Sequence, residues 1–129
     1  MTFALWSVLI AAILPYLFTG LAKAGGPQFD NAAPRAWLER QQGWPQRAHW
    51  AQLNSFEAFP PFAAAVIIAH MSGATQWIAD FLAAGFLGFR VLYGAFYILN
   101  MPTVRSIVWT GAFACVIGLF VASALATGN

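Results

Sequence analysis

Residues Phe3–Ala22 read FALWSVLIAAILPYLFTGLA, twenty consecutive residues without a charge. At 1.5 Å per residue such a helix is about 30 Å long, which matches the hydrocarbon core of a bilayer. Three further segments repeat the pattern. Ala51–Ser72 is interrupted chiefly by Gln52, Asn54, Glu57 and His70, and Trp77–Leu99 by Asp80 and Arg90, while Ser106–Ala126 carries no charge. The chain therefore reads as an all-α integral membrane protein: one domain over residues 1–129, a bundle of four transmembrane helices at about 3–22, 51–72, 77–99 and 106–126. Pro15, Pro60 and Pro61 fall inside helical patterns, where a kink is expected and neighbouring helices satisfy the freed carbonyls. The first segment lacks the positive leader of a signal peptide and is too long for one, so it is expected to be retained.

Composition agrees. Six Lys or Arg and four Asp or Glu make 8% of the chain charged, against about 25% in a soluble domain, and 60% is hydrophobic. So few charges cannot cover a soluble surface, which excludes a soluble enzyme and a disordered tail. A net charge of +2 with no dense basic patch excludes a nucleic-acid partner. The lone Cys115 lies in an apolar run and reads as an inert small hydrophobe, so no disulfide scaffold is present.

The only long polar stretch is the loop 23–50, which carries Lys23, Arg35, Arg40 and Arg47 with Asp30 and Glu39. Pro34 starts a short helix there through Gln41, with Trp37 and Leu38 expected against lipid headgroups. Gly43-Trp44-Pro45 breaks it. Basic residues concentrate in this loop and at Arg105, so loops 23–50 and 100–105 are expected in the cytoplasm and both termini outside.

That topology puts six polar residues in the cytoplasmic half of the bundle. Asn54 and Glu57 lie about 6 and 10 Å beyond Trp50 along the second segment; Tyr97, Tyr93 and Arg90 lie about 5, 10 and 15 Å from the end of the third. Arg105 opens the fourth. Arg47, Asn54 and Glu57 share one helix face, as do Arg90, Tyr93 and Tyr97. Ionisable groups are costly in hydrocarbon, so each marks a functional site by default. One reading is a buried Glu57–Arg90 ion pair that locks two helices. The other is a polar cavity for an anionic guest, since one Glu cannot use several arginines and Arg binds carboxylates bidentately. His70 and Asp80 read as solvated helix ends, and no His/Cys/Asp cluster has metal-ligand spacing.

The run from Arg47 to Phe62, RAHWAQLNSFEAFPPF, resembles the second-helix signature of the MAPEG family, the membrane-associated proteins of eicosanoid and glutathione metabolism. The Arg-Ala pair, the Asn-x-x-Glu and the following prolines and Phe carry the likeness, joined by Arg90, Tyr93, Tyr97 and Arg105-Ser106. The resemblance implies a homotrimer in the bilayer, bacterial in type and so of the inner membrane. It implies glutathione as co-substrate between subunits near the cytoplasmic face, and a lipophilic small molecule as second substrate. Asn54, Glu57, Arg90, Tyr93 and Tyr97 would line the glutathione site, Glu57 at its amino group, and Arg105 would be the catalytic residue that stabilises the thiolate. The family carries Arg where this chain has Trp50, and Arg47, one turn earlier on a similar face, is the expected substitute.

The implied activity is that of a glutathione-dependent transferase or peroxidase acting on a lipophilic electrophile or hydroperoxide. Two alternatives stand beside it. One is a non-catalytic accessory subunit, in which Glu57 and Arg90 only hold the bundle. The other is a small proton-coupled transporter titrating at Glu57, against which stand the arginines that would keep Glu57 ionised.

Overall fold

The computed structural model describes residues 1–128 and is helical throughout: α1 (Phe3–Gly25), α2 (Pro34–Glu39), α3 (Trp44–Met71), α4 (Gln76–Ile98) and α5 (Pro102–Thr127). Three of them, α1, α4 and α5, are long and apolar enough to cross a membrane. The fourth long helix, α3, has 28 residues, so its length is ample. Arg47, His49, Gln52, Asn54, Glu57 and His70 lower its hydropathy instead.

Helix ends follow local chemistry. Thr2 Oγ1 accepts the Leu5 N–H at the start of α1 (3.2 Å). Proline opens α2 and α5 and is second in α3, where its fixed φ suits a first turn. The start of α3 corrects the apolar count. It lies at Trp44 rather than near Ala51, because Gly43 turns the chain at φ 68° and Pro45 then sets the helix. Part of the loop 23–50 is thus helical. At the far end of α3, Gly73 is left-handed, its N–H bonding the His70 carbonyl while Ala74 N–H reaches that of Ala69. Asn100 does the same after α4 at φ 58°, with Met101 N–H on the Phe96 carbonyl (2.9 Å). Both are Schellman closures, so the two interhelical turns are short and satisfied. Pro15 and Pro60-Pro61 sit within uninterrupted helices.

The four long helices pack as one bundle, α1 mainly on α3 and α4 mainly on α5, with α3 also touching α4 and α5. Lipid is as apolar as leucine, so close packing rather than water exclusion holds such helices together. The core is built accordingly, from Ala4, Ala11, Ala65, Ala69, Ala79, Ala83 and Ala112 around two stacked rings, Phe62 and Phe86 (centroids 3.8 Å apart). Gly94 lets α4 approach α1 at Phe18, whose ring would lie 1.9 Å from a Cβ at that position. Cys115 is buried in this core. Large apolar side chains such as Phe81, Leu17, Ile107 and Leu125 point outward, as a lipid-facing exterior requires.

Two local expectations are corrected. Trp37 and Leu38 do not lie against headgroups. They are buried with Ala22 and Ala48, and Trp37 Nε1 donates to the Gln28 carbonyl at 2.8 Å, so the indole's polar end is satisfied inside the protein. Asp80 is not a free helix end. Its Oδ1 accepts the Ala4 N–H (2.8 Å) and the Gln76 side-chain amide (2.7 Å), tying the start of α1 to the first turn of α4. His70 is exposed, in line with its reading.

Candidate functional site

Helical spacing builds one polar-to-apolar stripe on each of three helices. On α3 it is Asn54, Glu57, Ala58 and Pro61; on α4 it is Phe86, Arg90, Tyr93 and Tyr97; on α5 it is Arg105, Trp109, Ala112, Phe113 and Val116. Parts of these stripes line a cleft of about 160 Å³ between α3, α4 and α5, with Asn54, Glu57 and Arg90 at its polar part and Pro61, Phe86, Trp109, Phe113 and Val116 at its apolar part; Tyr93, Tyr97 and Arg105 lie outside its lining.

Arg90 is the centre. It is 2% exposed, the largest fully buried side chain of the molecule. Its Nη2 donates to Asn54 Oδ1 at 2.8 Å and reaches Ser55 Oγ at 3.5 Å. Its guanidinium also lies 4.3 Å from the Tyr93 ring centroid. These hydrogen bonds go to Asn54 and Ser55 and not to Glu57, which is exposed at the cleft. The geometry is thus not the locking Glu57–Arg90 ion pair weighed from the sequence. Ser55 is a neighbour that sequence reasoning missed. It sits one residue off the Asn54 face, and a small hydroxyl in an apolar helix more often bonds its own backbone, as Ser55 does to Ala51 (2.8 Å).

A column of rings and cations runs from Arg90 towards the α4–α5 turn. Tyr93 meets Tyr97 edge to face at 5.6 Å, and the Arg105 guanidinium lies 4.3 Å from the Tyr97 centroid. Trp50 packs beside Tyr97 at 6.2 Å. Five of the residues singled out in the sequence, Asn54, Arg90, Tyr93, Tyr97 and Arg105, are therefore joined in one continuous contact system, and Glu57 lines the cleft beside Asn54 and Arg90. Arg47 points elsewhere. Its Nε donates to the Ile98 carbonyl at 3.0 Å, closing the end of α4, and it does not line the cleft.

A second hollow, about 650 Å³, flanks α3 on the side of α1 and α2, lined by Tyr16, Arg35, Glu39, His49, Trp50 and Gln52 among others. Among the described residues no group of His, Cys, Asp and Glu is placed to hold a metal ion.

The cleft sets polar groups beside an apolar wall. Buried Arg90 and half-buried Asn54 offer donors, Glu57 offers an acceptor, and the aromatic wall offers apolar contact. At about 160 Å³ the cleft is smaller than the about 300–1,000 Å³ usual for ligand sites. A family model described as the MAPEG family matches residues 3–125, nearly the whole chain. No curated protein and no solved structure matches it.

Proposed function

The chain belongs to the MAPEG family, and from that premise we propose that it is a membrane-bound glutathione-dependent transferase or peroxidase acting on a lipophilic electrophile or hydroperoxide. The observation that carries the reading is the buried Arg90, held by Asn54 in a cleft that also presents Glu57 and an aromatic wall.

The donor set complements glutathione, which has two carboxylates, one amine and one thiol. Arg90 and Arg105 supply the cations, and Glu57 supplies the anion for the amine. Tyr93 and Tyr97 hold the two guanidinium groups by cation–π contact. When bound, glutathione supplies a nucleophilic thiol whose free pKa is about 8.5. Arg105 would favour its thiolate form, and the cleft's apolar part would admit the second substrate from the bilayer.

All four long helices span the membrane in this reading, α3 tolerating Asn54 and Glu57 because they line the cleft. The domain covers 1–129, loops 23–50 and 100–105 face the cytoplasm, both termini lie outside, and the membrane is a bacterial inner membrane. Family membership is the support for a homotrimer. In a ring of identical contacts, the face with Arg35, His49 and Gln52 on one copy would meet the Asn54–Glu57–Arg90 face of the next and complete the site.

The test is calorimetric titration of the protein in nanodiscs with glutathione, followed by conjugation of a generic electrophile. Binding lost in Glu57→Gln, and turnover lost in Arg105→Ala, with helix content unchanged in both, support the reading. Absence of binding and of conjugation in the intact protein overturns it.

One observation favours the accessory-subunit alternative. Arg90 already has Asn54, Ser55 and Tyr93 as partners within its own chain, the pattern of a structural buried cation. That reading expects Asn54→Leu paired with Arg90→Met to leave assembly and cellular role intact.

A further inference from the structure

The last turn of a helix leaves carbonyls that the helix itself cannot satisfy. At the end of α4 the backbone supplies three of the donors. Leu99 N–H bonds the Ala95 carbonyl (3.0 Å), Met101 N–H that of Phe96 (2.9 Å) and Asn100 N–H that of Tyr97 (3.1 Å). The Ile98 carbonyl is met by a side chain from another helix, Arg47 Nε of α3, at 3.0 Å. Past the turn at Asn100, residue 102 is proline and has no N–H to give. Trp50 follows Arg47 by three residues on α3 and packs beside the Tyr97 ring, centroids 6.2 Å apart. Thus α3 grips the end of α4 at two adjacent residues, by the backbone of Ile98 and by the ring of Tyr97. Both grips lead to Arg105. Its guanidinium lies 4.3 Å from the Tyr97 centroid. Its backbone N–H bonds the carbonyl of Met101 at 3.0 Å, the residue whose own N–H closes onto Phe96. Only Leu99, Asn100 and Met101 separate α4 from α5, so the end of one helix sets the start of the next.

We propose that Arg47 is a positioning residue for Arg105: by taking the Ile98 carbonyl it holds the end of α4 and the turn behind it, so that the Arg105 guanidinium stays over the Tyr97 ring. Arg47 does not line the cleft, so it acts through Ile98 and Tyr97 and not on a bound guest. The inference deepens the reading of Arg105 as the group that favours a bound thiolate and rests on it for any effect on turnover; the placement of Arg105 itself does not need glutathione. The chemistry of the donor makes it testable. Glutamine carries its amide nitrogen on Cδ, as arginine carries Nε, so Arg47→Gln keeps an N–H the same number of bonds from the backbone and loses the charge. Methionine has a similar reach and no donor.

The experiment is NMR of the full chain in nanodiscs with ¹⁵N-labelled arginine, without glutathione. The Arg105 Nε–H signal, assigned by its loss in Arg105→Lys, is expected upfield because the guanidinium lies over a ring, and Tyr97→Leu gives the position without that ring. Arg47→Met should lose most of the upfield shift, and Arg47→Gln should keep it. A merely structural Arg47 would lower the melting temperature of Arg47→Met and leave the Arg105 signal where it is in the parent; that result overturns the inference. Should Arg47→Met not fold, the parent decides: an Arg47 Nε–H protected from exchange supports the inference, and one that exchanges like free arginine overturns it. With glutathione added, Arg47→Met should raise the midpoint of the bound thiol by about half a pH unit and lower conjugation at neutral pH about threefold, and Arg47→Gln should restore both. An Arg105 signal that responds as expected in a protein that neither binds glutathione nor conjugates leaves the positioning role standing and removes the enzymatic reading. Conjugation with an Arg105 signal indifferent to Arg47→Met does the reverse.

Discussion

The guanidinium of Arg90 on α4 donates to the side-chain carbonyl of Asn54 on α3 across 2.8 Å. With the Phe62–Phe86 stack, this hydrogen bond ties α3 to α4. It also decides which faces of α3 and α4 line the cleft, because Glu57 lies about one turn beyond Asn54 and Phe86 about one turn before Arg90. A buried cation of this kind holds its position only while its acceptors are present.

Replacing Asn54 with Leu is therefore expected to destabilise the bundle by about 1.5–3 kcal/mol, the range for a hydrogen bond to a charged group. Arg90→Met in the same chain should recover much of that loss, since both ends of the bond are then apolar. Reversible unfolding in mixed micelles, run as a double-mutant cycle, measures the coupling. Additive losses from the two substitutions would show that the bond does not link the helices energetically.

Gly94 gives a steric counterpart. A Cβ there would lie 1.9 Å from the Phe18 ring, too near for either helix to accept without moving. Gly94→Ala is expected to cost about 1–3 kcal/mol by overpacking. In a Phe18→Leu background the same change should cost clearly less. Melting temperatures of the four chains test this, and an equal penalty in both backgrounds would place the strain elsewhere.

Asp80 is expected to behave as a cap on α1, supplied from α4. Asp80→Ala should cost about 1 kcal/mol and speed amide exchange at Ala4, whereas Asp80→Asn keeps an acceptor oxygen and should stay near the parent. Hydrogen exchange resolved at the start of α1 is the measurement. Unchanged protection of Ala4 in the alanine variant would mean that the bond contributes nothing.

Asp80 also marks where sequence reading stops. The long apolar runs and the spacing of Asn54 with Glu57, and of Arg90 with Tyr93 and Tyr97, are local properties, so the helices and the shared polar faces were legible. What Asp80, Arg47 and Trp37 do depends on which helix end lies beside them. Asp80 meets α1 across a separation of 76 residues, and Arg47 meets Ile98 across 51, and no periodicity encodes such partners. The start of α3 was missed for a different reason. Counting apolar residues finds the part of a helix that suits lipid, while Gly43 and Pro45 start it well before that part begins. Ser55 was missed because its role depends on the reach of Arg90, not on its own face.

The last prediction concerns Arg105, whose guanidinium rests 4.3 Å from the Tyr97 ring centroid at the start of α5. If its role is to favour a bound thiolate, removing its charge should lower turnover while leaving binding of the tripeptide largely in place, since Arg90 and Glu57 hold the other charges. Arg105→Ala is expected to reduce conjugation at neutral pH by tenfold or more, because each unit added to the thiol pKa above neutrality lowers the thiolate fraction about tenfold. Arg105→Lys keeps the charge but not the planar stacking on Tyr97, so it should fall between the two. Tyr97→Leu removes the ring and keeps the cation, and should resemble the lysine variant. The decisive readout is the pH dependence of thiolate absorbance in the bound state. In Arg105→Ala the midpoint should move up towards that of the free thiol. A midpoint that stays in place while turnover falls would assign Arg105 to binding the second substrate rather than to activating the thiol.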